Sequence, residues 1–449
     1  MAETTESERR EAKFSLIKLL AATIALVVGV WVVNFVMDRL SQPPLVPSDV
    51  ETAMDPSFLP ANELERLVAT YEQRTTEVST PSDFLNLGQL YLEQARVSSD
   101  PARYLQAQAA FQIASDLSPD DPTPVVGLAR TALALHDFTT AAEVAERVLV
   151  DIPSRLDALA VVADAKMAIG DVAAAHAAID RLRGEAGEVP PVVVRQAQLA
   201  WLEGQLDESL ELARAAVPAG ETNPQRLAWY QAYASNSAFL FGEVEVAGEL
   251  SMLALANDPQ SIPALTVASR VAAAEGDIER SISLLEQATA AVPDPELNGE
   301  LGDLYLMTGE EELAEEQFGL VEVIGTLAEA QDVFNRQVAR FYADHDLQTE
   351  RALALAAAEL EIRQDPLGFD TYAWILYRAG RFDDALAAID QAKAGGFQDA
   401  ELFYHEGLIA IALGDGDRAV RSLEAALALN PHFDLLGAAD ATRLLAELR

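Results

Sequence analysis

Histidine, cysteine, serine and paired carboxylates are the residues that do chemistry when their spacing is right. The chain has five histidines, His136, His176, His345, His405 and His432. A helical zinc site needs two of them four apart with a glutamate between. His405 is followed by Glu406, Gly407, Leu408 and Ile409, with no second histidine. His136 takes a turn slot that other parts of the chain fill with glycine, so a surface turn residue is expected. His432 follows Asn430 and Pro431, just past a helix end. There is no cysteine, which removes disulfides, thiolate ligands and thiol nucleophiles. No serine sits in a nucleophile elbow. Gly414 and Gly416 lack the later glycines and the preceding strand of a dinucleotide fingerprint, and no Walker loop is present. Asp415 and Asp417 do not begin a calcium loop, because the later acidic ligands are missing. The expectation is a non-enzyme with no catalytic residue, no cofactor, no metal and no small-molecule substrate.

The elements that carry these residues repeat. Residues 400–431 read as two helices joined by a tight turn at Gly414 and Asp415, with Asn430 and Pro431 stopping the second. Gly407, Ala419 and Ala426 are small where the helices must cross, and Leu408, Ile411, Leu423 and Leu427 fill the space between. The same plan recurs on ten small anchors: Gly88, Ala129, Ala163, Ala197 and Ser235, then Ser269, Gly302, Ala339, Ala373 and Gly407. Their spacings run from 33 to 41 residues, and five are 34. A second small residue follows twelve positions later in eight units; the first unit reaches Ala107 after an insertion, and the eighth reaches Ala352, displaced by one. Three junctions depart from the period: the insertion after Arg96, the loop at 218–224, and 325–332, which is expected to bend or split the row.

A period near 34 with this small-residue code resembles the tetratricopeptide repeat (TPR) family over about four fifths of the chain. Leu87, Gly88 and Tyr91, Leu301, Gly302, Tyr305, Ala314 and Phe318, and 407–431 carry the resemblance. It implies an all-α solenoid of about ten helical hairpins whose first helices line a concave, ligand-binding face. Carried over by position, that face holds Trp201, Trp229, Asn236, Phe239 and Leu240 in units four and five. Farther on it holds Arg336, Arg340, Trp374, Tyr377, Arg378 and Tyr404. The aromatics are expected to form two apolar patches for a partner peptide, or to pack between repeats. Arg130, Arg270, Arg340 and Arg336 are expected to neutralise the acidic neighbours Asp164 and Asp303, or else to bind carboxylates on a partner. Asn236 is kept but Ala232 stands where the chaperone-binding members have lysine, which argues against a cytosolic co-chaperone.

The charge balance is lopsided, 72 acidic against 31 basic residues and a net −41, with only four lysines. Such a surface repels nucleic acid, so no nucleic-acid partner is expected, and it favours basic protein partners. Residues 1–13 read as a cytoplasmic tail. Residues 14–38 follow as a single transmembrane anchor, with nineteen uncharged residues between Lys18 and Asp38, about the 30 Å of a hydrocarbon core at 1.5 Å each. Arg9, Arg10, Lys13 and Lys18 precede it and Arg39 follows, so the positive-inside rule puts the N-terminus in the cytoplasm and the repeats outside it, in the periplasm of an inner-membrane protein. A proline-rich linker at 39–60, a capping helix at 61–80, the solenoid at 81–434 and a capping helix at 435–449 complete the reading. The function expected is a membrane-tethered scaffold or assembly factor, similar to the membrane-tethered TPR proteins of bacterial envelope assembly and cytochrome c maturation. The alternative is a constitutive subunit of a large membrane complex.

Overall fold

A computed structural model describes residues 58–77, 80–98, 101–329 and 335–449. The expected tail and anchor at 1–38, and the linker as far as residue 57, lie outside the described residues. Among the described residues no helix is long and apolar enough to cross a membrane.

The described residues form 22 helices and no strand. An opening helix α1 (Ala61–Glu77) is followed by ten hairpins. The first five are α2 (Pro81–Ser98) with α3 (Pro101–Leu117), α4 (Thr123–Ala134) with α5 (Phe138–Asp151), α6 (Leu156–Ala168) with α7 (Val172–Ala186), α8 (Pro190–Leu202) with α9 (Leu206–Ala215), and α10 (Pro224–Leu240) with α11 (Val244–Asn257). The second five are α12 (Ile262–Ala274) with α13 (Ile278–Ala291), α14 (Pro295–Thr308) with α15 (Glu311–Glu329), α16 (Asn335–Asp344) with α17 (Thr349–Ile362), α18 (Pro366–Arg378) with α19 (Phe382–Ala392), and α20 (Ala400–Leu413) with α21 (Gly416–Leu429). A closing helix α22 (Gly437–Leu448) ends the chain. Residues 325–329, where the sequence reading expects a break, continue α15 as helix.

The hairpins form because each sequence unit encodes a turn and a crossing. At the turn, backbone with positive φ is required, and glycine supplies it at Gly170 and Gly414. His136 fills the same slot with φ 61°. The next residue often caps the second helix: Asp137, Asp171, Asp277 and Asp415 each accept from the backbone N–H three residues on. At the crossing, Ala129, Ala163, Ala197, Ala339 and Ala373 are fully buried at 0 % exposure. A Cβ on Gly407 would sit 2.7 Å from Leu423, so the helices approach too closely for a larger residue. Where serine replaces alanine, its hydroxyl donates across the crossing to the residue twelve positions on or back. Ser235 donates to the Ala247 carbonyl at 2.6 Å, and Ser209 to that of Ala197 at 2.8 Å. Buried hydroxyls are thereby satisfied without widening the gap.

The row also meets itself. The turns inside hairpins three, four and five touch the connections that follow hairpins eight, nine and ten. The Gln364 amide donates to the Ala168 carbonyl at 3.0 Å. The Gln398 side chain donates to the Gly204 carbonyl at 3.2 Å, and the Asn430 side chain to the Phe239 carbonyl at 2.9 Å. Nearer the start, the Asn223 side chain donates to the Phe58 carbonyl at 3.2 Å. Gly170, Gly204 and Gly242 each bring their backbone against a carbonyl across this seam, with no room for a Cβ.

Candidate functional site

First helices line the inner face, and from α12 onward that lining is charged. Arg270 on α12 pairs with Glu296 at 2.8 Å and with Glu300, both on α14. Arg340 on α16 grips Glu401 on α20, one bond being 2.8 Å, and lies 3.5 Å from Asp344 one turn along its own helix. Arg270 and Arg340 therefore do neutralise carboxylates, but not the expected ones. Asp164 is held in a fork by Arg195 at 2.8 and 2.7 Å, and Asp303 takes His345 at 3.0 Å.

His405 is the centre of the densest part. Its Nδ1 lies 2.9 Å from Asp370, and its Nε2 lies 4.0 Å from Glu401. Its ring stacks on Trp374 at 4.5 Å, and Trp374 stacks in turn on Tyr377 at 5.3 Å. The Trp374 indole N–H donates to Asp344 at 2.7 Å, and Arg378 lies over the other ring region at 5.2 Å while pairing with Asp346. Tyr404 donates to Asp440 at 3.1 Å and packs on Phe433. Burial works against the His405 charge, but Asp370 and Glu401 outweigh it and hold its pKa above the usual histidine value. Burial pushes the Glu401 carboxyl up to about 7, Asp434 and Asp370 adding to it against Arg340 and His405. Burial likewise raises Asp344, Asp399 and Asp294. Glu296 stays half open to water at 54 % side-chain exposure, so this interior is walled by protein yet wet.

The structure brings Arg340, Trp374, Tyr377, Arg378 and Tyr404 together around His405. Trp374 is itself buried, at 6 %, so it offers an edge and not an open face. Units four and five differ from the expected apolar patch. Phe239 is buried at 4 % in a core with Ala238, Ala247, Val267 and Val271, because the α10 register turns it toward the next hairpin. Trp201 packs on Phe397 at 5.5 Å across the seam. Trp229 is covered by Phe58 and stacks on Tyr233 at 5.9 Å. Asn236 and Leu240 are half-buried on α10. These positions close the row instead of exposing a patch. The pairing of His405 with Asp370 escaped the sequence reading, although 35 residues, one repeat, separate them. A carboxylate and an imidazole in matching register on successive first helices were the available signal.

A second constellation lies where the row meets itself. A cavity of about 220 Å³ opens beneath the connection after hairpin eight. Leu133, Phe138, Met167 and Leu202 give its apolar wall, and His136, Gln198, Arg363 and Asp365 its polar part. His136 is not the surface residue expected: its Nδ1 is buried without a partner, and its ring stacks on Phe138 at 5.4 Å. Burial, then Arg363 and Arg336, push its pKa down to about 4. Arg363 binds Asp365 through Nε at 2.7 Å and lies 5.5 Å from the Phe138 ring centre. Arg336 has a buried Nη1 with no acceptor.

Comparison with known families agrees with the repeat. Tetratricopeptide-repeat models match residues 163–224 and 266–325, and a further one matches 400–433. No curated protein sequence matches the chain. Among solved structures, the human IFIT1 dimer with m7Gppp-AAAA is 17 % identical over 82 % of this chain and 85 % of that one, with a TM-score of 0.45. The Cut9-Hcn1 hetero-tetramer of APC/C is 14 % identical over 86 % and 93 %, with a TM-score of 0.32. A tetratricopeptide repeat protein from Parabacteroides merdae is 15 % identical over 57 % and 98 %, with a TM-score of 0.33. The chain thus carries tetratricopeptide repeats, at 163–224, 266–325 and 400–433, within a row of ten helical hairpins.

Proposed function

We propose that this protein is a membrane-tethered scaffold that gathers protein partners outside the cytoplasm, with roles akin to envelope assembly or cytochrome c maturation. One observation carries the binding part of that reading: the wet, charged inner face of α12, α14, α16 and α20. There Asp344, Asp399, Asp294 and Glu401 hold raised pKa values. Burial and neighbouring carboxylates raise these groups even though Arg340 lies beside Asp344 and Glu401, so further positive charge is favourable there. A lysine or arginine from a partner supplies it, and the net charge of −41 draws basic segments toward the chain. The tether rests on the uncharged stretch between Lys18 and Asp38, and its direction on the basic residues before it.

The test is crosslinking and pull-down from membranes, with wild type beside Glu296→Lys. Reversing that half-exposed charge is expected to remove the basic partners from the captured set; an unchanged set overturns the inner-face reading. Protease added to intact spheroplasts is expected to digest the repeats, and full protection overturns the orientation. A second reading, a constitutive subunit of a larger membrane complex, is favoured by apolar side chains exposed on outward helices. Leu105 and Leu117 on α3 are 50 % and 49 % exposed, and Val323 on α15 is 57 % exposed. A subunit copurifies in fixed ratio after high-salt washing, whereas a scaffold purifies alone in detergent and exchanges partners.

A further inference from the structure

We propose that the cavity beneath Arg363 binds a small organic carboxylate, one charged end on a short apolar body. The sequence reading expected no small-molecule substrate, and this ligand is not one that reacts: nothing in the cavity activates it. The proposal does not depend on the scaffold reading.

Arg363 uses only Nε on Asp365, at 2.7 Å, and among the described residues its two Nη groups have no acceptor. Asp365 cannot turn to satisfy them, because its other oxygen caps α18 by accepting from the Gly368 amide at 2.8 Å. Asp164, the other carboxylate of the lining, has both oxygens on Arg195. Each acidic group of the lining is therefore already committed. Arg336 lies outside the lining; among the described residues it has no salt bridge, and burial followed by repulsion from Arg363 disfavours its charge. Asp365, Glu296 and Glu359 act on Arg336 in the other direction. Glu359 lies near both, but its Oε2 is buried without a hydrogen bond and burial favours its neutral form.

Shape selects the kind of anion. At about 220 Å³ the cavity takes one small molecule, below the ~300 Å³ where drug-sized pockets begin. Polar surface makes up the larger share of the lining and Leu133, Met167 and Leu202 the lesser, so a ligand with one small apolar end fits better than a fully hydrated phosphate. A carboxylate concentrates its charge at one end, where two oxygens match the paired N–H groups of a guanidinium fork. The remainder of the molecule then lies on the apolar wall. Such a ligand would touch α4, α6 and α8 and also the connection after hairpin eight, and so would clamp the seam.

Calorimetric titration of the full chain in detergent tests this, with 4-methylpentanoate as probe beside 4-methylpentanamide and inorganic phosphate. The acid is expected to bind, and the amide and phosphate at least tenfold more weakly. Arg363→Gln should weaken the acid at least tenfold, Arg336→Gln, outside the lining, should weaken it less, and Leu202→Phe, which fills the cavity and keeps both arginines, should block it. No binding of the acid, equal binding of the amide or the phosphate, or undiminished binding in Arg363→Gln overturns the proposal. A blocked dipeptide ending in a free leucine carboxylate separates two sources of the same chemistry. If it competes with the acid, the natural ligand is a chain end; if it does not, it is a free organic acid.

Discussion

His136 and His405 share an unperturbed pKa near 6.5, and their surroundings drive them in opposite directions. His136 is pushed down to about 4 by burial and by two arginines, so the folded protein keeps it neutral. As pH falls through 6.5 the unfolded chain takes up that proton first, and stability is lost between about 6.5 and 4. His405 is raised, so its contribution is complete below 6.5 and is lost as pH rises through its folded pKa. Glu401, raised to about 7, acts with it: from its ordinary value near 4.5 up to about 7 the folded state holds the extra proton, and stability declines as pH climbs. Acid thus weakens the seam, and alkali weakens the inner cluster of the C-terminal hairpins. His136→Gly supplies a residue suited to positive φ and removes the titration. It should flatten the loss of urea midpoint between pH 6.5 and 4, by on the order of 1–3 kcal/mol at the acid end. Glu401→Gln should flatten the decline on the other side, between about 4.5 and 7. An acid limb unchanged in His136→Gly would mean that the buried imidazole is not what titrates.

A hairpin needs so few decisions that its element is readable from sequence. The crossing demands one tiny side chain on each helix, and all ten anchors are Gly, Ala or Ser because anything larger meets a wall. That wall is Phe111 at Gly88 and Leu423 at Gly407, each 2.7 Å from a built Cβ. Enlarging an anchor should therefore cost more than enlarging a neighbour. Ala163→Leu is expected to destabilise by about 1–3 kcal/mol through overpacking, read as a lower thermal midpoint, while Val172→Leu on the exposed side of α7 should be nearly silent. Because a repeat leans mainly on its neighbours, hydrogen exchange should rise in α6, α7 and the flanking helices before it rises in α20. The site was less legible than the hairpins. Position on a first helix located Arg340, Trp374, Tyr377 and Tyr404 but said nothing of what each touches. Residue type left two readings open for Trp201 and Phe239, recognition surface or packing, and both pack, one on Phe397 and the other in a core. Aromatic rings are the commonest way to fill either kind of space, and one sequence does not distinguish them.

Across the row as a whole, the period records contacts about 34 residues apart and leaves no trace of those near 190. Gln398 meets Gly204 over 194 positions and Asn430 meets Phe239 over 191, so the seam had no periodic signature. Its only mark in the sequence is glycine, hidden because the same residues already serve the hairpin turns. Two turn glycines separate these roles. Gly204 and Gly276 have nearly the same backbone, φ 74° and 82°, so alanine strains both turns alike. Nothing lies near a Cβ at Gly276, whereas at Gly204 it would run into the Gly396 carbonyl, and backbone cannot swing aside as a side chain can. The difference between Gly276→Ala and Gly204→Ala is therefore the seam, with the turn strain removed. Gly276→Ala should lose about 1 kcal/mol and leave exchange at the seam as it was. Gly204→Ala should lose more, and the Gln364 amide, whose partner is the Ala168 carbonyl across the seam, should exchange at least tenfold faster. Amides within α12 to α14, which the Gly204 contact does not touch, should stay protected in both variants. Equal exchange at Gln364 in the two would show that the edges only touch; a rise confined to Gly204→Ala would show that this contact holds hairpins three to five against eight to ten, and with them the cavity that Arg363 covers.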